Sequence, residues 1–298
     1  MNISICILNW QAAPLTLQCL KYILRLDNIN SASQQVDIII VDNGSKDDSA
    51  RQINSFINTS SFKRFHFIQS TENKGYASGN NLAIDYSLQH LSPDYIWILN
   101  NDTLPSTNSL SALLNAANNQ PSVAIWGSTL LDQSGEYIEC AGGSYYHPCL
   151  STYTNALKGN PADAAEAATS LLKPLDYIEG AAMFVNADVF RKIGLFNEDY
   201  FLYFEELDLI KRLPSGWGIE WCSKSFVRHI GGGSMESEIA EYQSNISALI
   251  FTRKHYPYCL PFMAIFRFIA KIFRNTLTGR WHLNQALLSS YAQYFFGR

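Results

Sequence analysis

Residues 36–45 read VDIIIVDNGS, and this stretch decides the fold. Val36–Val41 is almost wholly β-branched, which suits a buried strand. The run halts at Asp42-Asn43-Gly44-Ser45, residues that build turns, and Ser45 is placed to cap the helix that follows. Upstream, Ile3–Leu8 is a short apolar run that reads as a second buried strand. Pro14 opens a helical stretch to about Leu26, with Leu15, Leu20, Ile23 and Leu24 near a 3.6-residue period. Downstream, Phe65–Gln69 is a third strand and Gly75–Leu88 a helix with glycine at its mouth. Tyr95–Leu99 (YIWIL) is a fourth strand, ending in Asn100-Asn101-Asp102-Thr103, after which Pro105 and Ser106 start another helix.

Alternation of strand and helix over the first 120 or so residues predicts an α/β fold, with a parallel sheet between helices. Ligands of such sheets bind beyond the carboxyl ends of the strands. Polar clusters stand there: Asn9-Trp10, Asp42-Asn43 and Asn100-Asn101-Asp102. The second half is mixed. Val123–Thr129, Tyr137–Cys140, Met183–Val185, Gly218–Cys222 and Phe226–His229 read as strands, and Phe204–Arg212 as a helix. Residues 156–168 read as a mobile loop or short helix, and the chain after Gly231-Gly232-Gly233 as helical.

Composition bounds the function. The chain has 298 residues, 47% hydrophobic and 16% charged, which fits one large α/β domain or a domain with a tail. A net charge of −4 argues against a general nucleic-acid binder. Cys6, Cys19, Cys140, Cys149, Cys222 and Cys259 form no CxxC pair and are read as reduced thiols of a cytoplasmic protein. The first residues lack the basic and apolar regions of a signal peptide, and no uncharged apolar run reaches 18 residues, so no spanning helix is expected.

Several residues suit chemistry, each with a plainer alternative. Asp102, at a strand end, can hold a hard divalent cation that neutralises a diphosphate; an Asx turn ahead of Pro105 is the commoner use. Asp42 can accept a pyrimidine N3–H or merely shape its turn. Glu205, Glu206 and Asp208 are an acidic cluster behind Phe201–Phe204. At 100° per residue Glu205 and Asp208 share a face and Glu206 points away, while Asp208 stands four residues before Arg212, a helix ion-pair spacing. Glu206 is a candidate general base because partial desolvation raises a carboxyl pKa; a solvated helix face is the plainer reading. His229 can bind a metal, and the glycines after it, with Ser234, can meet a phosphate; a hinge after a core histidine is the alternative.

In order and spacing, ISICILNW (3–10), VDNGSKDDS (41–49), ENKGYASGNN (72–81), ILNNDT (98–103), YIEGAAMFV (177–185), FNEDYFLYFEELDL (196–209) and HIGGGS (229–234) resemble glycosyltransferase family 2, of GT-A fold, and especially its bacterial rhamnosyltransferase-like branch. The likeness runs from residue 3 to about residue 260. It implies a Rossmann-like mixed sheet flanked by helices, a catalytic domain over 1–240 (nucleotide-sugar half 1–120, acceptor half 121–240) and a helical extension over 241–298. It places Asn9 and Asp42 at the base of a nucleotide sugar, with Asn73, Lys74, Gly75, Asn80, Asn100, Asn101 and Ser234 also on the donor. Asp102 and His229 would hold Mn²⁺ or Mg²⁺, Glu179 and Gly180 would lie on the acceptor side, and Glu206 would be the base, with Glu205 and Asp208 as fallbacks. Two departures stand out: the first Asp of the family's DxD motif is Asn100, and its Glu-Asp base motif reads Glu205-Glu206.

The implied reaction is inverting, metal-dependent transfer to a saccharide or lipid-linked saccharide. L-rhamnose from dTDP-L-rhamnose is favoured and UDP-glucose or UDP-galactose is the alternative. The expected location is cytoplasmic, at the inner membrane face where the tail meets lipid. Phe262, Ile265, Phe266, Ile269 and Phe273 lie near one helical stripe with Arg267, Lys271 and Arg274 nearby. That suits peripheral membrane contact, core packing or a dimer partner equally. A nucleotidyltransferase would want a glycine-rich, basic phosphate loop, and a dinucleotide oxidoreductase a GxGxxG; neither follows the first strand. A non-catalytic nucleotide-sugar or glycan-binding module is the remaining alternative.

Overall fold

The computed structural model describes residues 1–27, 29–31, 34–231 and 237–297. The first half runs β1 (Asn2–Asn9), α1 (Ala13–Ile23), β2 (Gln35–Asp42), α2 (Ser49–Thr59), β3 (Phe65–Gln69), α3 (Tyr76–His90), β4 (Tyr95–Asn100), β5 (Thr103–Pro105) and α4 (Ser109–Asn119). β6 (Val123–Leu131), β7 (Ile138–Ala141), β8 (Gly143–His147), β9 (Thr152–Asn155), β10 (Tyr177–Ile178), β11 (Ala182–Asn186), α5 (Ala187–Ile193), α6 (Glu205–Lys211) and β12 (Gly218–His229) follow. The chain closes with α7 (Ser237–His255), α8 (Leu260–Leu277) and α9 (Leu283–Phe296).

The main sheet has the order β3-β2-β1-β4-β11-β6-β12-β5, with β7 paired to β6, and a small sheet β10-β8-β9 lies apart. β1 pairs in parallel with both β2 and β4, which aligns Asn9 with Asp42 and Leu8 with Asn100. β11 then enters antiparallel to β4 and makes the sheet mixed. The VDIIIV run is buried on both faces: Ile38 and Ile40 join one core cluster and Ile39 and Val41 the other. Full burial of each such side chain stabilises by roughly 1.5–3 kcal/mol.

Four local expectations are corrected, and two strands carry no clear signal in the sequence. Ser45 caps no helix, since α2 begins at Ser49 after Asp48; its hydroxyl instead serves Asp42. Pro105 and Ser106 start no helix: Thr103–Pro105 pairs with β12, and α4 starts at Ser109. Gly218–Cys222 and Phe226–His229 are one strand, β12, broken in register by a bulge between Cys222 and Phe226. β8 and β9 lie where the sequence shows no strand pattern, because residues 143–155 are rich in small and polar residues and lack an apolar alternation. Cys149 and Cys259 form a disulfide with Cα atoms 4.9 Å apart, while Cys6, Cys19, Cys140 and Cys222 are free and buried. The pair removes the thiol argument for a cytoplasmic location.

The C-terminal helices are fastened to the sheet domain. Phe251 and Ala248 of α7 pack into an aromatic cluster with Tyr146, Tyr177, Tyr200 and Phe204. Ser247 Oγ donates to the Leu202 carbonyl at 2.8 Å. α8 is turned the unusual way round. Its polar face, Arg267, Lys271 and Asn275, looks inward, and Phe262, Ile265, Phe266, Ile269 and Phe273 are 49–65% exposed. The stripe is therefore not core packing. Among the described residues no helix is long and apolar enough to cross a membrane.

Candidate active site

At the ends of β1 and β2 a closed polar knot forms. Asn9 Nδ2 donates to Asp42 Oδ1 at 2.7 Å, Ser45 Oγ donates to the same oxygen at 2.5 Å, and Thr16 Oγ1 donates to Asn9 Oδ1 at 2.7 Å. Asn101 Nδ2 extends the knot to Thr16 Oγ1 at 3.1 Å. Asn9 and Asp42 are fully buried. Asp42 shapes its turn; among the described residues its second oxygen receives only the Ser45 N–H, at 3.3 Å.

The mouth of α3 is tied to the loop that carries the carboxylates. Asn73 Oδ1 accepts from Asn43 Nδ2 and from the Gly75 N–H, both at 2.9 Å. The Tyr76 N–H donates to the Phe201 carbonyl at 2.6 Å. Gly75 has φ +94°, and a Cβ there would run into the backbone of Phe201, so glycine is required for this close approach. Asn80 is buried and bonds the Tyr76 carbonyl at 3.0 Å, and Lys74 is exposed beside Glu72 at 3.4 Å.

Asp102 stands just past β4, and the antiparallel pairing of β5 with β12 brings His229 opposite Thr103. His229 Nε2 lies 3.4 Å from Asp102 Oδ2, and Nδ1 lies 3.0 Å from Glu139 Oε2 on β7. Burial lowers the His229 pKa, but hydrogen bonds and charge from Asp102 and Glu139 more than reverse this, to about 10. Asp102 Oδ1 is buried without a partner. Among the described residues no three His, Cys, Asp or Glu side chains form a ready metal cage. An orphaned carboxylate oxygen beside an imidazole nitrogen nevertheless fits a hard divalent ion that takes its remaining ligands from phosphate. Glu139, which fixes the orientation of His229, was missed from the sequence; only the pairing of β7 with β6 reveals it. Ser234 lies outside the described residues.

The acidic cluster opens α6. Tyr203 and Phe204, at φ 69° and 74°, are successive non-glycine residues in the left-handed region. Each costs on the order of 1–3 kcal/mol, and such strain concentrates at functional sites. Phe204 is held there by edge and tilted contacts with Tyr146 and Phe251. The turn presents the first residues of α6 to a cleft of about 790 Å³, whose walls include Asn100, Glu179, Gly180, Glu205, Glu206 and His229. Glu206 is partly buried against Gly180, where any Cβ would collide with its carboxyl. Burial, then the charge of Glu179, push the Glu206 pKa up to about 7. Glu205 is buried with Oε2 unpartnered, and burial, then Glu206, raise its pKa well above the usual carboxylate range. Glu179 accepts from Ser144 Oγ at 2.8 Å and is also raised, by burial first. Tyr76 OH donates to the Gly180 carbonyl at 3.0 Å, so α3 supports the segment beside Glu206 directly.

Asp208 is placed elsewhere. Its carboxylate is held by Arg212 at 3.0 Å and by Lys254 and His255 at 2.7 Å each, and it does not line the cleft. It joins α6 to α7.

A mixed sheet with a polar strand-end knot and an acidic cleft defines the class: a GT-A glycosyltransferase domain. Residues 4–151 match the family model Glycosyl transferase family 2, and the chain belongs to that family. It is 27% identical over 176 residues to the low-salt glycan biosynthesis hexosyltransferase Agl10 of Haloferax volcanii, covering 59% of this chain and 52% of that one. It is 24% identical over 203 residues to an N-acetylglucosaminyl-diphospho-decaprenol L-rhamnosyltransferase of Mycobacterium tuberculosis, covering 63% and 64%. The chain thus spans between half and two thirds of these relatives. The mannosyltransferase PcManGT of Pyrobaculum calidifontis, solved in complex with GDP-Man and Mn²⁺, shares the fold at TM-score 0.60 and 13% identity, over 99% of this chain and 87% of that one.

Proposed function

We propose that the chain transfers a sugar from a nucleotide-sugar donor to a hydroxyl of a saccharide acceptor, with inversion at the anomeric carbon. The observation that carries the reading is Glu206: a carboxyl titrating near 7, braced against Gly180, in the same cleft as Asn100 and His229. Such a group is ionised enough at neutral pH to take a proton and basic enough to hold it. The acceptor O–H gives its proton to Glu206, its oxygen forms the new bond to the anomeric carbon, and the bond to the diphosphate breaks with its electrons on the leaving group. With Glu206 taking only the proton and the acceptor oxygen itself forming the bond to the anomeric carbon, the step is a single displacement, hence inversion. Glu179 orients the acceptor, and the Tyr76 N–H and the close approach at Gly75 hold the Phe201 end of the loop ahead of Glu206. Asp102 and His229 would hold a divalent cation, Mn²⁺ or Mg²⁺, which supplies Lewis-acid stabilisation of the leaving diphosphate.

The donor favoured is dTDP-L-rhamnose, supported by the name of the mycobacterial relative. A UDP-hexose is the second reading, supported by the hexosyltransferase name of the haloarchaeal one. The exposed apolar stripe of α8 supports peripheral attachment to a membrane, with the acceptor lipid-linked. A panel of nucleotide sugars, scored for nucleoside diphosphate release with and without EDTA, tests the assignment. Binding of donors without release from any of them would leave a sugar-binding module instead.

A further inference from the structure

The disulfide between Cys149 and Cys259 joins two segments that both line the cleft. The four residues after Cys149, Leu150 to Tyr153, belong to the lining. Cys259 is the N-cap residue of α8, and that helix adds Phe266, Arg267 and Lys271 to the same lining. Among the described residues one hydrogen bond joins residues 147–155 to α8 besides this covalent bond: Arg267 Nη1 donates to the Ser151 carbonyl at 2.7 Å. Ser151 is itself held at φ 50°, in the left-handed region, so the turn carries strain that its fastenings maintain.

The two sulfurs are not equivalent. Cys149 is exposed and Cys259 half-buried, so an incoming thiolate reaches Cys149 first. Cys259 caps an 18-residue helix that has no acidic side chain in its first turn. The negative charge it takes on leaving therefore lies at the positive end of the helix dipole. Access and leaving-group stability favour the same direction of cleavage. Cys6, Cys19, Cys140 and Cys222 are buried, out of reach of a soluble thiol, and burial pushes the Cys6 and Cys222 thiols up. Thiol exchange in the folded chain is thus confined to one bond.

We propose that Cys149 is a thiol-exchange site and that its bond to Cys259 is a reducible clasp on the α8 side of the cleft. A dithiol reductant supplies the two electrons. One of its thiolates attacks Cys149 Sγ and forms a mixed disulfide, while the bond to Cys259 breaks with its electron pair on Cys259. The second thiolate then attacks the reductant's own sulfur in that mixed disulfide. Cys149 leaves as a thiolate and the reductant leaves as a disulfide. The two cysteines take up the two protons that the reductant's thiols gave up. Opening the clasp leaves the Arg267 hydrogen bond as the direct polar link between the turn and α8, and both are freed to shift. The consequence for transfer rests on the glycosyltransferase reading: the turn and α8 line the cleft that holds Glu206, so the clasp sets how firmly that cleft holds a saccharide.

Glutathione, a monothiol, tests the direction of exchange. The full chain is exposed to it briefly, free thiols are capped with N-ethylmaleimide, and peptides are read by mass spectrometry without reductant. Glutathione should sit on Cys149 and maleimide on Cys259, in roughly tenfold excess over the reverse. Adduct mainly on Cys259, an even split, no adduct, or equally fast capping of the four buried cysteines would each overturn the proposal. Hydrogen exchange tests the clasp. Dithiothreitol should speed amide exchange roughly tenfold in residues 149–155 and the first turns of α8, with β1 to β4 unchanged. The variant C149S/C259S should exchange as fast without reductant and show no response to it. An unchanged wild-type pattern, or an equal rise across β1 to β4, would overturn the proposal, and this comparison stands even where the variant fails to fold. Neither measurement needs turnover. Failure of every donor to release nucleoside diphosphate would count against the enzyme reading, and thiol exchange would still decide the clasp.

Discussion

The strand-end knot of β1 and β2 and the cleft at the start of α6 treat buried polar groups in opposite ways. In the knot, Asn9, Asp42, Ser45, Thr16 and Asn101 satisfy one another. In and beside the cleft, Glu205 Oε2 and, next to His229, Asp102 Oδ1 are buried without partners, and three cleft carboxyls are held above their usual pKa. A satisfied network rigidifies, whereas an unsatisfied buried group costs free energy that a ligand can recover. One region is thus a preorganised frame, and the other keeps buried polar groups that the protein itself leaves unsatisfied.

The sharpest break in that contrast is Glu206→Gln. Its amide keeps the shape and cannot take a proton, so transfer should fall by roughly 10²–10⁴-fold with donor affinity nearly unchanged. Single-turnover transfer and donor titration read the two effects, and substantial remaining turnover would move the base to Glu205. Next is Glu139→Gln, which loosens His229 without touching the metal-facing nitrogen. It should weaken Mn²⁺ binding by roughly 10–100-fold, measured by direct titration of the protein. Unaltered Mn²⁺ affinity would show that Glu139 does not position the ligand. The wild-type pH profile comes third. The base must be ionised and its pKa is raised to about 7, so kcat/KM should fall toward tenfold per unit below that pH and level off above it. A profile flat from pH 5 to 8 would contradict the assignment. The smallest effect belongs to the frame: Asn9→Ala leaves Asp42 and Thr16 short of a buried partner and should cost about 1–3 kcal/mol in unfolding experiments.

Legibility followed the same divide. The parallel half was readable because each strand is an apolar run bounded by turn residues, and Phe65–Gln69 holds to the residue. The second half resisted because β8 and β9 carry their order in pairing rather than in composition. Glu139 illustrates the limit: it resembles any strand carboxylate until β12 brings His229 beside it. The stripe on α8 was visible as a pattern, but whether it faced the core or the outside depends on Arg267 and Lys271 being drawn inward by Asn245 and Glu241. Asp208 was readable locally, through its i,i+4 spacing to Arg212, and not through Lys254 and His255, which come from a distant helix.

The link between Cys149 and Cys259 spans 110 positions of the chain, and the enclosed segment holds β9 to β12, α6 and all of α7. The terminal helices are therefore not a detachable cassette. A single backbone cut within that ring would leave both fragments on one band in a non-reducing gel and release two only after reductant. Grafting the tail of a relative onto this domain would have to bring a matching cysteine at the β8–β9 turn, or give up the covalent hinge from which α8 hangs.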